Sequence, residues 1–244
     1  MKIVGHYLLV LALFPILFAQ LIWVLLGARK LPEAIGARSG MGGTGPLLRV
    51  LIVGDSSAAG VGARTQSKAL AGRLQAELEA HFTVDWTLVA RSGITTRNAL
   101  ASIDAVEVRE FDLCVIALGV NDATRLTGIA RWVSRAEELR SVLRSSFNVK
   151  CIYQAQVPDL SRFPSIPWPL SITWGRHAAL MNTAMCAQLQ GDTSTTLLNF
   201  DIPITAELMA KDGFHPNDLG YALWAKGLAA LIIRDFAPGG GQNF

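Results

Sequence analysis

The sequence predicts an α/β fold, in which a five-stranded parallel sheet lies between two layers of helices and follows an N-terminal transmembrane helix. Short apolar runs alternate with helical patterns from Leu47 onwards, and the intervening helices are long enough to be crossover connections. Near the amino terminus, a long apolar run contains no Asp, Glu, Lys or Arg. The first pattern predicts the three-layer α/β/α domain and the second predicts the membrane helix.

The apolar run covers residues 3–26 and reads IVGHYLLVLALFPILFAQLIWVLL. At about 1.5 Å per residue, a helix of this length crosses a bilayer core of about 30 Å. The run exceeds the apolar core of a secretory signal and no convincing small-residue cleavage site follows it, so we favour a single-pass anchor over residues 1–30 to a cleaved signal. A buried helix of a soluble domain fits less well, because the run is apolar on all sides.

The net charge of +3 belongs to the N-terminal segment. Lys2, Arg29 and Lys30 are the charged side chains of the first thirty residues, and the remaining basic and acidic residues are equal in number. No basic face is left for a nucleic-acid partner, and none is predicted. Basic residues flank the apolar run on both sides, so the side of the membrane on which the domain lies stays unresolved.

The chain after the anchor divides into a tether, a domain and a tail. Five glycines in residues 36–46 predict a flexible tether over 31–46. The folded domain is predicted over 47–237, and 238–244 form a short flexible tail.

Five strands and five helices are predicted in the domain. The strands combine β-branched residues, alternating patterns and short apolar runs, and cover 47–54, 83–90, 111–119, 149–157 and 195–202. The helices have apolar residues at helical spacing and cover 67–82, 95–103, 129–147, 174–190 and 217–236.

A Pro-rich interval separates the fourth strand from the next helix. Residues 157–175 contain four prolines and two tryptophans. Such an interval is either an ordered surface loop that packs its aromatic rings on the domain, or a wall over a binding site. The two interpretations are compatible, and the sequence does not separate them.

Polar residues follow several predicted strands. They are Gly54–Ser57 after the first strand, Arg91–Gly93 after the second, Gly119–Asp122 after the third, and Asp212 and His215 beyond the fifth. Ligands of open parallel sheets bind at the carboxyl ends of the strands. These residues are therefore predicted to converge at one edge of the sheet.

A histidine and an aspartate in this group have the spacing that activates a serine hydroxyl. A serine is a poor nucleophile at neutral pH and needs an adjacent base. Of the four histidines, His215 lies in a loop bounded by Gly and Pro, three residues after Asp212. An Asp at that spacing can accept from the imidazole Nδ1–H and leave Nε2 free to take a proton. The alternative is that Asp212 only caps the turn.

Four blocks in order resemble the SGNH, or GDSL, hydrolases, which are serine esterases and lipases on a flavodoxin-like sheet. The blocks are Gly54–Gly60 (with Ser57 where the family usually has Leu), Gly93, Gly119–Asp122 and Asp212–Pro216. The resemblance extends from Leu48 to about Ala225. The second block is its loosest match, because Arg91 stands where an Asn is often found.

The resemblance implies a role for each block. Ser56 becomes the nucleophile, while the N–H groups of Ser56 and Gly93 and the side-chain amide of Asn121 form the oxyanion hole. The alternative for Asn121 is a helix cap. Asp55 and Asp122 are expected to have capping and turn roles. The neighbouring serine at position 57 is a rival nucleophile whose position disagrees with the motif.

These observations predict a serine hydrolase that cleaves carboxylic esters. Ser56 would carry the acyl group, with His215 as base and Asp212 as its partner, and no metal or organic cofactor would be needed. The substrate would be a lipid, a short acyl ester or an acetyl ester, with the membrane contacted through residues 3–26. The alternatives are an acyltransferase that uses the same site and a non-catalytic binding module that retains the fold.

Overall fold

The computed structural model describes residues 2–27, 30–105, 107–199 and 203–237, so the predicted tail at 238–244 lies outside the described residues. The described strands form one sheet in the spatial order β1-β3-β2-β4-β5-β6. β2 to β6 are parallel and β1 runs antiparallel to β3. The strands are β1 (Ser39–Gly42), β2 (Leu47–Gly54), β3 (Thr83–Ala90), β4 (Leu113–Ala117), β5 (Cys151–Ala155) and β6 (Thr195–Leu198).

Helices cover both faces of the sheet, so the predicted α/β/α layering is confirmed. Along β2, Val50 and Ile52 pack in the core beneath α3 and α8, while Leu51 and Val53 pack beneath α4 and α6. This alternation follows from the period of two in a strand that is buried on both faces. The described helices are α1 (Lys2–Ala12), α2 (Phe14–Gly27), α3 (Leu70–Leu78), α4 (Thr96–Ile103), α5 (Val120–Thr124), α6 (Ile129–Phe147), α7 (Leu170–Gln188) and α8 (Asp218–Phe236).

The sixth strand, β1, lies within the segment that the sequence assigns to a tether. Ser39–Gly42 pairs with Val84–Thr87 at the edge of the sheet, which corrects both the strand count and the extent of the folded domain. A Cβ at Gly40 would lie 2.9 Å from Nε1 of Trp86, so glycine lets the edge strand cross that ring. Glycine disfavours strands in isolation, and the composition alone therefore indicated a flexible linker.

The predicted transmembrane helix is two helices in the structure. α1 and α2 meet at an angle of 77° around Leu13. Pro15 explains the break, because proline lacks the N–H for the helical hydrogen bond and its ring clashes with the carbonyl four residues earlier. Within the described residues, no single helix is both long and apolar enough to span a bilayer. Counted together, the two helices of the bent pair reach the necessary length and apolar composition.

The helix pair packs against α7 and the loop before it. His6 is buried, and its Nε2 lies 3.2 Å from Nδ1 of His177. Leu17 is buried in the cluster formed by that loop and α7. Gln20 bonds the backbone at 168–170, donating to one carbonyl at 2.6 Å and accepting from one N–H at 3.1 Å. The Pro-rich interval is thus held between the helix pair and the domain.

We predict that Gly62→Ala lowers the free energy of unfolding by about 1–3 kcal/mol. Gly62 has a φ of +100°, and a Cβ there would lie 2.1 Å from the carbonyl oxygen of Pro216. Gly128→Ala is the control, because among the described residues no heavy atom beyond its chain neighbours lies within 4 Å of its Cβ position, and we expect it to cost less than about 1 kcal/mol. Equal urea midpoints for the two variants would contradict this close approach.

Candidate active site

Ser56 lies in the turn that follows β2, at the carboxyl edge of the sheet. The N–H of Asp55 donates to the carbonyl of Ala117 at the end of β4, so the chain leaves the sheet where β2 and β4 end side by side. The carbonyl of Ser56 accepts from the N–H of Val61, which closes the turn. The Ser56 side chain is partly exposed at the base of a cavity.

His215 lies beside this serine. Its Nε2 is 2.8 Å from Oγ of Ser56, and its Nδ1 is 2.6 Å from Oδ2 of Asp212. The other oxygen of Asp212 accepts from the N–H groups of Phe214 and His215, each at 3.0 Å. The structure therefore brings together the serine, histidine and aspartate that the sequence analysis selected. Asp212 both caps the turn and contacts the imidazole.

The loop that carries His215 is anchored at both ends. The Asn217 side chain caps α8 by accepting from two N–H groups, and it donates to the carbonyls of Glu207 and Met209. The hydroxyl of Tyr221 donates to the carbonyl of Val61 at 2.7 Å. These bonds join the loop after β2 to the start of α8, and they fix the two halves of the site relative to each other.

Asp55 connects the serine turn to Asn121. Its Oδ1 accepts from the N–H and the hydroxyl of Ser57, at 3.0 and 2.9 Å, and its Oδ2 accepts from Nδ2 of Asn121 at 3.3 Å. One hydrogen of the amide is thereby directed at the carboxylate, and the second remains to donate elsewhere. The bond from the Ser57 N–H agrees with the capping role predicted for Asp55. No local pattern in the sequence indicates the contact with Asn121, 66 positions away.

Asp122 has a structural position behind the site. It is fully buried, and its Oδ2 accepts from the N–H and hydroxyl of Thr96 at the start of α4. The same hydroxyl accepts from Nε1 of Trp132 on α6 at 3.2 Å. Asp122 thus ties the turn after β4 to the neighbouring helices, in agreement with its predicted role.

Gly93 lies in the turn after β3. This turn begins next to the end of β2, because the Arg91 N–H donates to the carbonyl of Gly54 at 3.3 Å. Its φ of +77° falls in the left-handed region that favours glycine. Its carbonyl accepts from a guanidinium N–H of Arg125 at 2.9 Å. Arg125 therefore holds this turn to α5, a contact that the sequence analysis did not anticipate.

The carboxylates of Asp55 and Asp212 have opposite pKa shifts. Burial raises the pKa of Asp55 above its ordinary value, and the hydrogen bonds from Ser57 offset this only in part. Burial acts in the same direction on Asp212, but the hydrogen bonds from the His215 ring and from two backbone N–H groups hold the pKa of Asp212 below its ordinary value. The carboxylate that contacts the imidazole is therefore the more readily ionised.

A cavity of about 600 Å³ opens beside Ser56. It lies between the carboxyl ends of β4, β5 and β6 on one side and α7 with its preceding loop on the other. Its wall is mostly apolar and includes Leu118, Val157, Phe163, Ile204, Phe214 and Trp224. The Pro-rich interval forms part of this wall, so both of its predicted interpretations apply. Among the residues that the structure describes, no three His, Cys, Asp or Glu side chains are grouped to hold a metal ion.

Comparison with known proteins identifies the family. The family model for GDSL-like lipases and acylhydrolases matches residues 52–223, which is more than half of the chain. The chain belongs to the GDSL-like lipase/acylhydrolase family. Membership supports hydrolysis of carboxylic esters at the level of the family, and the resemblance found in the sequence is confirmed.

Relatives of this GDSL-like family member include a GDSL-like esterase of Mycobacterium tuberculosis, 30% identical over 200 residues. The match covers 77% of this chain and 62% of that relative, so the chain spans less than two thirds of its length. A psychrotrophic esterase of Pseudoalteromonas sp., solved with monoethylphosphonate, has a TM-score of 0.58 at 21% identity, covering 77% of this chain and 97% of that one. An extracellular lipase of Streptomyces rimosus has a TM-score of 0.54 at 17% identity, covering 76% and 98%. The two structures share the fold.

We predict that the carboxyl of Asp212 titrates below that of Asp55, which carbon NMR of labelled side chains measures directly. The ionised form of Asp212 stabilises the fold at neutral pH, and this contribution is lost only as pH falls through its depressed pKa. The raised pKa of Asp55 has the opposite effect on the pH dependence of stability, because the contribution of Asp55 to stability is lost as pH rises through that pKa. A reversed order of the two midpoints would overturn this description of the site.

Proposed function

We propose that this chain is a serine esterase that forms an acyl-enzyme on Ser56. The observation that carries the proposal is the 2.8 Å separation between Oγ of Ser56 and Nε2 of His215, next to an apolar cavity. Family membership supports ester hydrolysis in general. The catalytic roles of the residues, the acyl-enzyme intermediate and the substrate class go beyond what family membership supports, and we propose them.

In the first step, Oγ of Ser56 attacks the carbonyl carbon of the ester and Nε2 of His215 takes the hydroxyl proton. Asp212 accepts from Nδ1–H, which fixes the tautomer that leaves Nε2 free, and its depressed pKa keeps it ionised at neutral pH. The carbon–oxygen bond to the alcohol then breaks, and His215 gives its proton to the leaving alcohol. Water attacks the acyl-enzyme by the same route, releasing the acid and regenerating the serine.

The negative charge on the substrate oxygen needs donors. We assign these to the N–H groups of Ser56 and Gly93 and to the amide of Asn121. Asp55 orients the amide by accepting one of its hydrogens, so the second is directed without rotation of the side chain. A donor held in place before the reaction avoids the cost of reorganisation during it.

The cavity favours an acyl chain over an acetyl group. Its volume of about 600 Å³ lies in the range of sites for whole small ligands, and its wall is mostly apolar. Each buried methylene contributes roughly 0.8 kcal/mol to binding. We therefore place the acyl part of a lipid or acyl ester in this cavity, with its carbonyl at Ser56.

We predict that Ser56→Ala abolishes labelling by a fluorophosphonate probe and lowers turnover of p-nitrophenyl esters by roughly 10³-fold or more. His215→Ala should lower turnover on a similar scale while the fold is retained, because the serine loses its base. Ser57→Ala is the matched control for labelling, since it removes the neighbouring hydroxyl and leaves Ser56 in place. Labelling that persists in Ser56→Ala, or is lost only in Ser57→Ala, would refute the assignment.

We further propose that α1 and α2 attach the protein to a membrane. Large apolar side chains of this pair remain exposed, among them Val4, Leu8, Leu11, Phe18, Trp23 and Leu26. An apolar surface of this kind marks a site of interaction. The side of the helix pair that carries His6 and Leu17 instead packs on the domain. The pair therefore joins the membrane to the wall of the cavity.

We expect the full chain to sediment with membranes and to resist carbonate extraction. Lysine at three exposed positions, Leu8, Leu11 and Leu25, should shift the protein to the soluble fraction, because charge opposes insertion into hydrocarbon. Val108→Lys is the control, since Val108 is equally exposed but lies outside the helix pair. Recovery of the unaltered chain in the soluble fraction would contradict membrane attachment.

A further inference from the structure

The turn that carries Gly93 is not held in place by packing. Arg91, Ser92 and Gly93 are exposed, and buried side chains resume at Ile94. Among the described residues, no heavy atom beyond its chain neighbours lies within 4 Å of the Cβ position of Gly93. A glycine also restricts its own backbone less than any other residue. The direction of the Gly93 N–H therefore depends on the hydrogen bonds of the residues around it.

Two charged side chains bond this turn, one on each side of the peptide group that contains the Gly93 N–H. Oε1 of Glu33 accepts from the Ser92 N–H at 2.6 Å, one peptide group earlier. Arg125 donates to the carbonyl of Gly93 at 2.9 Å, one peptide group later, and it directly follows α5, the helix that carries Asn121. Hydrogen bonds with a charged partner are stronger than those between neutral groups. The peptide group is thus fixed from both ends.

The carboxylate of Glu33 is itself held in place. Its second oxygen forms an ion pair with Arg38, and both side chains are partly buried. Arg38 also donates to the carbonyl of Ala90, the last residue of β3. Burial acts to raise the pKa of Glu33, but the hydrogen bonds from Ser92 and Arg38 hold that pKa below its ordinary value. Glu33 is therefore an anion at neutral pH, and the strand that leads into the turn sets its position.

The segment that carries Glu33 also contacts the loop of the serine. The N–H of Ala34, the next residue, donates to the carbonyl of Ala59 at 3.2 Å. Ala59 lies within the turn that is closed by the bond from the Val61 N–H to the Ser56 carbonyl. Successive residues of one segment therefore bond the serine loop and the turn after β3, and hold these two parts of the site relative to each other.

We propose that Glu33 and Arg125 are positioning residues that direct the Gly93 N–H at the carbonyl oxygen of the substrate. This inference rests on the proposed function, in which that N–H is one of three donors to the oxyanion. Each of the two side chains acts through the backbone of the turn and not through contact with the substrate. The segment that the sequence assigns to a tether thereby contributes to the active site.

The first test is the effect of each side chain on kcat. We expect Glu33→Ala to lower kcat for p-nitrophenyl esters by about tenfold and to change KM by less than about twofold, because a misdirected donor weakens binding of the transition state alone. Glu33→Gln should restore much of the loss, since its amide oxygen can still accept from Ser92. Arg125→Ala tests the second bond independently and should lower kcat in the same way. Rates are expressed per site labelled by fluorophosphonate, so incomplete folding does not lower them.

A second substrate separates positioning from general damage to the fold. In a thiono ester, sulfur replaces the carbonyl oxygen, and sulfur is a weak hydrogen-bond acceptor. A donor directed at that atom therefore accelerates the oxygen ester more than the thiono ester. We expect the ratio of kcat/KM for the oxygen ester to that for the thiono ester to fall by about fivefold or more in Glu33→Ala and in Arg125→Ala. Loss of stability would lower both rates equally and leave the ratio unchanged.

Glu110→Ala is the matched control. Glu110 accepts from the side-chain amide of Asn148 at 3.1 Å, so this variant also removes a bonded carboxylate. Glu110 precedes β4 and therefore lies at the edge of the sheet opposite to Ser56. We expect its kcat and its ester ratio to equal those of the unaltered chain. An unchanged ester ratio in Glu33→Ala or in Arg125→Ala would overturn the positioning role of that residue, whatever its effect on kcat.

The outcomes separate this inference from the proposed function. Ester turnover that depends on Ser56 but is insensitive to Glu33 and Arg125 would remove only their positioning role. Absence of ester turnover in the unaltered chain, together with absence of fluorophosphonate labelling, would remove the esterase itself.

Discussion

The hydrogen bond between Oγ of Ser56 and Nε2 of His215 joins residues that are 159 positions apart, and it connects the two halves of the site. Ser56 is placed by the end of a buried strand, whereas His215 depends on the loop before the last helix. The close approach of Gly62 to Pro216 and the bond from Tyr221 to the serine loop hold these two regions together. The contacts between the loops therefore help to hold the 2.8 Å separation.

The environment divides two carboxylates into different tasks. Asp212 is held ionised by three N–H donors, and this makes it a stable partner for the imidazole. Asp55 is more deeply buried and accepts from Ser57 and Asn121, so it acts on the orientation of neighbouring groups. Such a division follows from the number and direction of hydrogen bonds, because burial alone raises both pKa values.

The sequence predicted those parts that local pattern determines. The strands at 47–54 and 83–90 were correct to the residue, because alternation and β-branching mark strands packed between helices. The three-residue spacing of Asp212 and His215 also pointed to the contact between them. β1 was missed because its glycines pair with β3 only in tertiary context, and the contact between Asp55 and Asn121 leaves no local pattern. The bend between α1 and α2 had a signal in Pro15, which the continuous apolar run obscured.

Trapping the acyl-enzyme is the sharpest test of Ser56 as the nucleophile. The protein is mixed with a slowly hydrolysed decanoyl ester and quenched in acid during turnover, and its peptides are mapped by mass spectrometry. We expect the mass of one decanoyl group on the peptide that contains Ser56, localised to that residue by fragmentation. An acyl group found on another residue, or turnover without any covalent adduct, would refute nucleophilic catalysis by Ser56.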